Sequence, residues 1–418
     1  MRFLFLTQYY PPEIGAAPTR LHSLAEQLHQ FGHEVEIVTA RPNYPRGRFF
    51  DGCGSRLYVR ELRNGIVVHR VWIYPALGTG FGRLLNYTSF ALMSLFALSR
   101  AQKPDFLFVE SPPLTNSIPA FVSKLIRGVP YIFNVADLWP DAVLEAGVAR
   151  NGLVHRLLLT LESWSYRQSS YVNAVTQGIG EALVLDKRVP SGKVLFLPNG
   201  VDADRFKPSE PDLLLKRELG LEGKRIILWA GTLGLSHGLE YVLQAAKILE
   251  TDPGIHFLFL GDGSCRTQLQ DLKQKLNLGN VTFHGPVSLE LLPRYFSIAD
   301  SSLVSLRRLP SHEAARPSKI LPALGSGKPL IFVGAGEGAR FVEQAQAGIV
   351  VPPENPELLA DEIRRLFADS ELLCRLGENG RRYIEDHMQW STLVTRWLEH
   401  LGPSSGPIIE DVSISAAS

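Results

Sequence analysis

The chain is poor in sulfur, in net charge and in long apolar runs. Its three cysteines, Cys53, Cys265 and Cys374, are an odd number without paired spacing, which excludes a disulfide framework and supplies no zinc-binding pattern. A reducing cytoplasm fits such usage. With 43 Lys and Arg against 42 Asp and Glu, the net charge is +1, so the chain lacks the basic footprint of bulk nucleic-acid binding and no nucleic-acid partner is expected. The most lipid-like stretch, Leu84 to Leu98, contains Asn86, Thr88, Ser89 and Ser94 and is shorter than the ~20 residues of a spanning helix. It reads as a largely buried helix or as a helix lying on a membrane surface, with Arg83, Arg100 and Lys103 at its ends. The apolar N-terminal run meets Pro11 and Pro12 without a cleavage site, so it reads as a first strand and not as a signal peptide. No GxGxxG turn and no P-loop Lys-Ser/Thr follows the first strand of either half, which disfavours a nicotinamide dehydrogenase.

What is present is the composition of a folded globular chain: 45% hydrophobic and 20% charged residues, 36 Gly and 28 Pro in 418 residues. That length predicts two domains. Charge is uneven, with 20 Lys and Arg against 14 Asp and Glu in residues 1–200, and 23 against 28 in the remainder. Short β-branched and aromatic runs alternate with helical patterns: FLFLT, EVEIVT, IVVHRVW, FLFVES, YIFNV, YVNAVT and VLFLP in the first half, then RIILWAG, HFLFLGDG, VTFHGP, SSLVSL, PLIFVG and AGIVVP in the second. Such alternation predicts α/β architecture, two Rossmann-like domains with parallel sheets facing across a cleft. The polar segment after Pro198-Asn199-Gly200 marks the boundary. The expected domains are 1–200, an acceptor-binding domain, and 201–385, a nucleotide-sugar domain, followed by a C-terminal helix 386–401 returning toward the first. The Ser-, Gly- and Pro-rich tail 402–418 is expected to be disordered.

In such folds ligands bind at the carboxyl ends of strands, so the strand-end loops carry the candidates. In the first half these are the Tyr10 to Arg20 loop with the small residues Gly15 and Ala16, the Asn43-Tyr44 loop, Glu110 before two prolines, and Asp137-Leu138-Trp139-Pro140-Asp141. Carboxylates beside an aromatic plane suit a sugar, and equally suit a capped helix start. In the second half they are Gly231-Thr232-Leu233-Gly234-Leu235-Ser236-His237, then Gly261-Asp262-Gly263 with Arg266, then Gly285-Pro286-Val287. Arg266 reads as a bidentate phosphate ligand or as a solvated helix arginine. Ala315-Arg316-Pro317-Ser318-Lys319-Ile320-Leu321 opens a helix whose amides and Lys319 form the best anion site in the chain.

Taken together, YYPPEIGAAPTR, ESPP, DLWPD, LPNGVD, GTLGLSHGLE, LGDG, FHGPV and RPSKILPALGSGKP, in this order, resemble the GT-B retaining glycosyltransferases of family four. Among these the chain is similar to the fucosamine-type transferases of bacterial surface-polysaccharide assembly. The resemblance implies a nucleotide-diphosphate sugar, UDP being the favoured carrier, held by the second domain, and a glycan or lipid-linked acceptor held by the first. It implies no metal or other cofactor, and a cytoplasmic enzyme, peripheral to the membrane where the 84–98 helix docks. Carried over, Asp137, His237 and Lys319 would be catalytic. Gly15, Ala16, Gly231, Thr232, Gly234, Gly261, Gly263, Arg266, Gly285, Pro286, Val287, Glu313, Ser318, Ile320 and Leu321 would hold the donor. Tyr10, Arg20, Asn43, Tyr44, Glu110 and Trp139 would face the acceptor. Four positions depart: Thr232 and His237 stand in the turn after the second half's first strand where many members have Arg and Lys, and Ala314 and Pro322 stand where many place a pair of glutamates, with Glu313 one residue off. An epimerase of the same fold and a non-catalytic homologue are the alternative readings.

Overall fold

A computed structural model describes residues 1–13, 15–44, 46–52, 56–78, 80–139 and 152–401. Cys53, Asp141 and the 402–418 tail lie outside the described residues. The chain divides into two compact units, Met1–Asn199 with Trp390 onward, and Gly200–Gln389.

Among the described residues the first unit carries one eight-stranded sheet of order β3-β4-β2-β1-β5-β6-β7-β8. The strands are β1 (Arg2–Leu6), β2 (Glu34–Ala40), β3 (Tyr58–Arg63), β4 (Ile66–Val71), β5 (Phe106–Ser111), β6 (Tyr131–Val135), β7 (Tyr171–Ala174) and β8 (Val194–Phe196). All pair in parallel except β3, which runs antiparallel to β4. This edge strand corrects the expectation of a purely parallel sheet, and its signal stands in the sequence. Asn64 and Gly65 adopt φ of 50° and 81°, the two-residue turn that Asn-Gly favours because both central residues must take positive φ.

The second unit holds a six-stranded, all-parallel sheet of order β11-β10-β9-β12-β13-β14. Its strands are β9 (Arg225–Ala230), β10 (Ile255–Leu260), β11 (Val281–His284), β12 (Ser301–Ser305), β13 (Leu330–Val333) and β14 (Gly348–Val351). Along β9, Ile226 and Leu228 join one buried cluster while Ile227 and Trp229 join another. Alternate residues of a strand face opposite sides, so a strand covered on both faces must be apolar throughout. In each sheet the strand order reverses beside the first strand, between β1 and β5 and between β9 and β12. These switch points are where connections diverge and leave room for a ligand at the carboxyl ends.

Helix Phe81–Arg100 departs from the largely buried reading of its sequence. Asn86 and Ser94 face inward with Phe90 and Ala97, whereas Phe81, Leu84, Leu85, Leu92 and Phe96 are exposed. Among the described residues no helix is long and apolar enough to cross a membrane. The helix Trp390–Glu399 packs Trp390, Leu393, Val394 and Trp397 into the core of the first unit. The Trp397 ring centroid lies 6.0 Å from those of Phe3 and Phe108. Trp397→Ala is therefore expected to destabilise the first unit by about 3–5 kcal/mol. A urea midpoint unchanged from wild type would show that this helix does not contribute to the core.

Candidate active site

At the second unit's switch point the loop after β9 turns sharply into helix Leu239–Ile248. Gly231 has φ +148°, and a Cβ there would lie 2.3 Å from Cε of Lys319. Only glycine lets the lysine stem cross the turn. Gly261 and Gly263, after β10, approach as closely: their Cβ atoms would meet the carbonyls of Gly231 and Leu233 at 2.0 and 2.4 Å. The two loops are laced by Leu233 N–H to the Asp262 carbonyl at 2.9 Å and Cys265 N–H to the Leu233 carbonyl at 3.0 Å. Arg307 fastens the next turn, donating to the Leu235 carbonyl at 2.6 Å and pairing with Glu240.

Lys319 stands over this platform. Its Nζ donates to Nε2 of His237 at 3.2 Å and lies 4.9 Å from the centre of the Trp229 ring. No carboxylate pairs with it among the described residues. Burial alone pulls its pKa down to about 8, because charge is disfavoured away from water. Burial first, and the neighbouring Lys319 charge second, press the His237 imidazole down to about 3. His237 is therefore neutral at physiological pH, accepting from Lys319 while its Nδ1–H faces the Ser305 carbonyl at 3.3 Å. The histidine foreseen as a catalytic group holds the lysine rather than carrying charge itself. The resulting site is a single ammonium cradled by neutral groups, electrostatically incomplete without an anion.

Other expected donor residues divide. Thr232 and Pro286 are exposed, and Gly15, Gly234, Gly285, Val287 and Ser318 partly so. Arg266 is tied to the protein through Nη1, which donates to the carbonyls of Gly261 and His284, leaving Nε and Nη2 as the groups a phosphate would meet. Ile320 and Leu321 are core residues at 0% and 1% exposure. Their helix, Ile320–Gly325, has six residues, and their amides already meet the carbonyls of Pro317 and Ser318. With those two amides taken, the anion capacity expected of this helix start rests on the Lys319 side chain and the N–H groups of Ser318 and Lys319. Pro322 lies in the first turn of that short helix, where a missing N–H is tolerated. Glu313 is exposed, and its carbonyl accepts the Glu337 N–H at 2.8 Å.

In the first unit the loops after β1, β2, β5 and β6 come together around two buried carboxylates. Glu13, 3% exposed, accepts the N–H groups of Asn43 at 2.9 Å, Tyr44 at 2.8 Å and Tyr10 at 3.2 Å. Arg63 and Arg70 both donate to the neighbouring Pro11 carbonyl. Tyr10 and Asn43, expected to face an acceptor, are 1% exposed: Tyr10 packs in the core with its hydroxyl 3.3 Å from His22, and Asn43 hangs from Glu13. Tyr44 stays partly exposed, its ring 5.4 Å from that of Tyr9. Beyond it Arg83 donates to the Tyr9 hydroxyl at 2.7 Å and lies over the Tyr87 ring. Arg20 pairs with Glu110, which is 2% exposed, so the glutamate acts on this rim through the arginine. Asp137 is exposed at the end of β6, with Trp139 partly exposed beside it and donating its N–H to the Asp137 carbonyl at 2.9 Å. Glu13, Tyr9, Arg83 and Trp229 were missed by sequence reading. Glu13 and Tyr9 stood inside the YYPPEIGAAPTR motif already singled out and Arg83 was read only as a helix-end charge, while Trp229 matters only through its contacts.

Burial raises Glu13 from an ordinary value near 4.5 to about 7, against the opposing pull of three backbone N–H groups. A carboxyl whose folded pKa lies above its unfolded value stabilises the fold fully below the unfolded pKa and loses that contribution as pH rises through the folded one. Wild type should therefore lose stability relative to Glu13→Gln between about pH 4.5 and 7.5, by on the order of 3 kcal/mol, read as a falling melting temperature. Parallel melting curves for the two proteins across that range would place the Glu13 titration elsewhere.

Residues 15–200 match the Glycosyl transferase 4-like domain, and residues 214–383 match Glycosyl transferases group 1. The putative colanic acid biosynthesis glycosyl transferase WcaI of Escherichia coli K12 is 27% identical over 96% of this chain and 100% of its own. Sucrose-phosphate synthase from Thermosynechococcus elongatus has the same fold, with a TM-score of 0.74 at 18% identity over 95% of this chain and 97% of that one. So has Anabaena HepE, solved in complex with UDP-glucose, with a TM-score of 0.71 at 17% identity over 96% and 99% of the two chains. With its two halves matched in order and the GT-B architecture of two Rossmann-like units, the chain belongs to the group 1, family 4-like glycosyltransferases.

Proposed function

We propose that this glycosyltransferase moves a sugar from a nucleotide-diphosphate donor to a glycan or lipid-linked acceptor in surface-polysaccharide assembly, with retention at the anomeric carbon. The observation that carries the reading is Lys319, a partly buried ammonium over the Gly231 turn whose polar and aromatic partners among the described residues are His237 and Trp229. A diphosphate supplies the missing negative charge. As the glycosidic bond breaks, charge grows on the leaving diphosphate, and a preorganised cation there lowers the barrier. His237 keeps the ammonium aimed, and the exposed Glu313 is the carboxylate we assign to the ribose hydroxyls in place of Pro322. Lys319 supplies the charge for which other transferases recruit a metal, so we expect turnover in the presence of EDTA. The colanic acid assignment of WcaI and the UDP-glucose in HepE support a polysaccharide role and a UDP-linked donor. The motif order further suggests an N-acetylated deoxyhexose of the fucosamine type.

The first unit is assigned the acceptor, with Asp137 nearest the reacting groups and Arg20, Tyr44 and Trp139 around them. The exposed stripe of Phe81, Leu84, Leu85, Leu92 and Phe96 beside Arg100 and Lys103 favours docking at the inner face of the cell membrane, since apolar area and basic charge together bind anionic bilayers. Arg83 is excluded from that contact by its bonds to Tyr9 and Asn86. Leu84→Glu with Leu92→Glu should abolish sedimentation with phosphatidylglycerol vesicles. Sedimentation equal to wild type would remove this surface from the proposal.

The donor is tested by thermal shift against UDP, GDP, ADP and TDP, with and without Mg²⁺, because a ligand bound only by the native state raises apparent stability. One nucleotide should shift the melting temperature without metal. Lys319→Ala should weaken it by about 1.5–3 kcal/mol, the worth of a charge-assisted bond, and wild-type affinity should fall as pH rises through about 8, where free Lys319 loses its proton. An unshifted, well-folded protein would overturn the donor reading.

A further inference from the structure

Four polar side chains cross the interior of the first unit in one unbroken line. Glu110, Asn134 and Asn173 are register partners on the adjacent strands β5, β6 and β7, so their side chains share one face of the sheet. All are buried, at 2%, 2% and 0% exposure. Trp397 of the helix Trp390–Glu399, 1% exposed, donates its indole N–H to Oδ1 of Asn173 at 3.1 Å. Asn173 Nδ2 donates to Oδ1 of Asn134 at 2.7 Å, and Asn134 Nδ2 donates to Oε2 of Glu110 at 2.7 Å. The other carboxylate oxygen of Glu110 takes Nη2 of Arg20. Arg20 Nη1 reaches Oδ1 of Asn199 at 3.4 Å, at the last residue before the chain leaves this unit.

An apolar row would cover this face without desolvating two amides, an indole N–H and a carboxylate. The polar row has a property an apolar one lacks, which is direction. Every donor in it points toward Glu110, so each amide is locked in one orientation and its dipole favours the carboxylate charge. The carboxylate in turn fixes a planar guanidinium, whose fork geometry leaves little rotational freedom once one edge is held. The arginine is not saturated: its Nε–H is buried and has no partner. Arg20 stands at the start of the line nearest the strand-end loops, on the helix that follows Gly15.

We propose that Trp397, Asn173, Asn134 and Glu110 are a positioning relay for the guanidinium of Arg20, carrying orientation from the C-terminal helix through the sheet to the acceptor rim. None of the four touches substrate; they act through Arg20. The role of Arg20 toward acceptor rests on the functional reading above, whereas the relay itself does not.

The test is side-chain NMR of arginine-labelled full-length protein, with the Arg20 signal assigned through Arg20→Lys. In wild type the two Arg20 Nη groups should give separate signals, the mark of a guanidinium that cannot rotate. Trp397→Phe, which keeps an aromatic ring and deletes the donor, and Asn173→Ala should each merge those signals. The signals of Arg381, held in the second unit by the carbonyls of Ala203, Phe206 and Gly325, should stay as in wild type and report an intact fold. Arg20 signals unchanged in both variants, whatever their melting temperatures, would overturn the relay. Sugar transfer to octyl β-glucoside supplies the functional arm, with Arg20→Lys expected to slow it at least tenfold while nucleotide-induced thermal shift stays within twofold of wild type. Undiminished transfer by Arg20→Lys would sink the acceptor reading of this rim and leave the relay standing. Merging in the NMR arm with loss of transfer supports both.

Discussion

A positive charge held by neutral neighbours is the constraint on which the second unit depends. Lys319 leans on an indole and an imidazole and crosses a glycine that nothing larger could replace. Each neighbour is shaped by that requirement. His237 must be neutral, which burial and the lysine enforce together. Gly231 must lack a side chain, and Gly261 and Gly263 must lack theirs so that their loop can support the first. An ammonium in such surroundings is poorly solvated, and the free energy that its partial desolvation costs is recovered only when an anion arrives. The leaving diphosphate proposed above suits such a site because its charge increases as the reaction proceeds.

The first unit solves a different problem. Its buried polar groups are already partnered: Glu110 by Arg20, Glu13 by three backbone N–H groups, the Pro11 carbonyl by two arginines. Such a rim does not wait for charge. It holds loops in place, presenting Tyr44, Trp139 and Asp137 on a fixed frame. Rigid presentation would suit the acceptor role proposed for this rim, since orientation contributes to rate without any new bond being made. A charge-hungry site in one unit and a pre-satisfied frame in the other fit the division of donor activation and acceptor placement proposed above.

Much of this was legible in residues taken in order. The alternation of apolar runs and helical patterns predicted two α/β units, and the glycines after β9 and β10 marked loops where backbone must come close. Lys319 was singled out as the strongest anion-site candidate from Arg-Pro-Ser-Lys alone. The antiparallel edge strand was legible too, through Asn64-Gly65, although the charged run from Tyr58 to Arg63 hid it. Illegible were the inward turn of Tyr10 and Asn43, the capture of Arg266 by two carbonyls, and the outward stripe of helix Phe81–Arg100. In each case the residue type permits both outcomes, and a neighbour distant in sequence selects one.

The sequence by itself determined the periodicities, the glycines and the family motifs, because these are local: a strand needs its alternation and a tight turn its glycine wherever they occur. Tertiary structure alone decided the charges. Whether a lysine carries its proton near pH 8, whether a histidine is a cation or a prop, and whether a glutamate faces substrate or an arginine depend on burial and on partners tens to hundreds of residues away. The distance from Trp397 to Asn173 is 224 positions along the chain and one hydrogen bond in space. Desolvation and Coulomb interaction act through space, and no spacing along the chain encodes them.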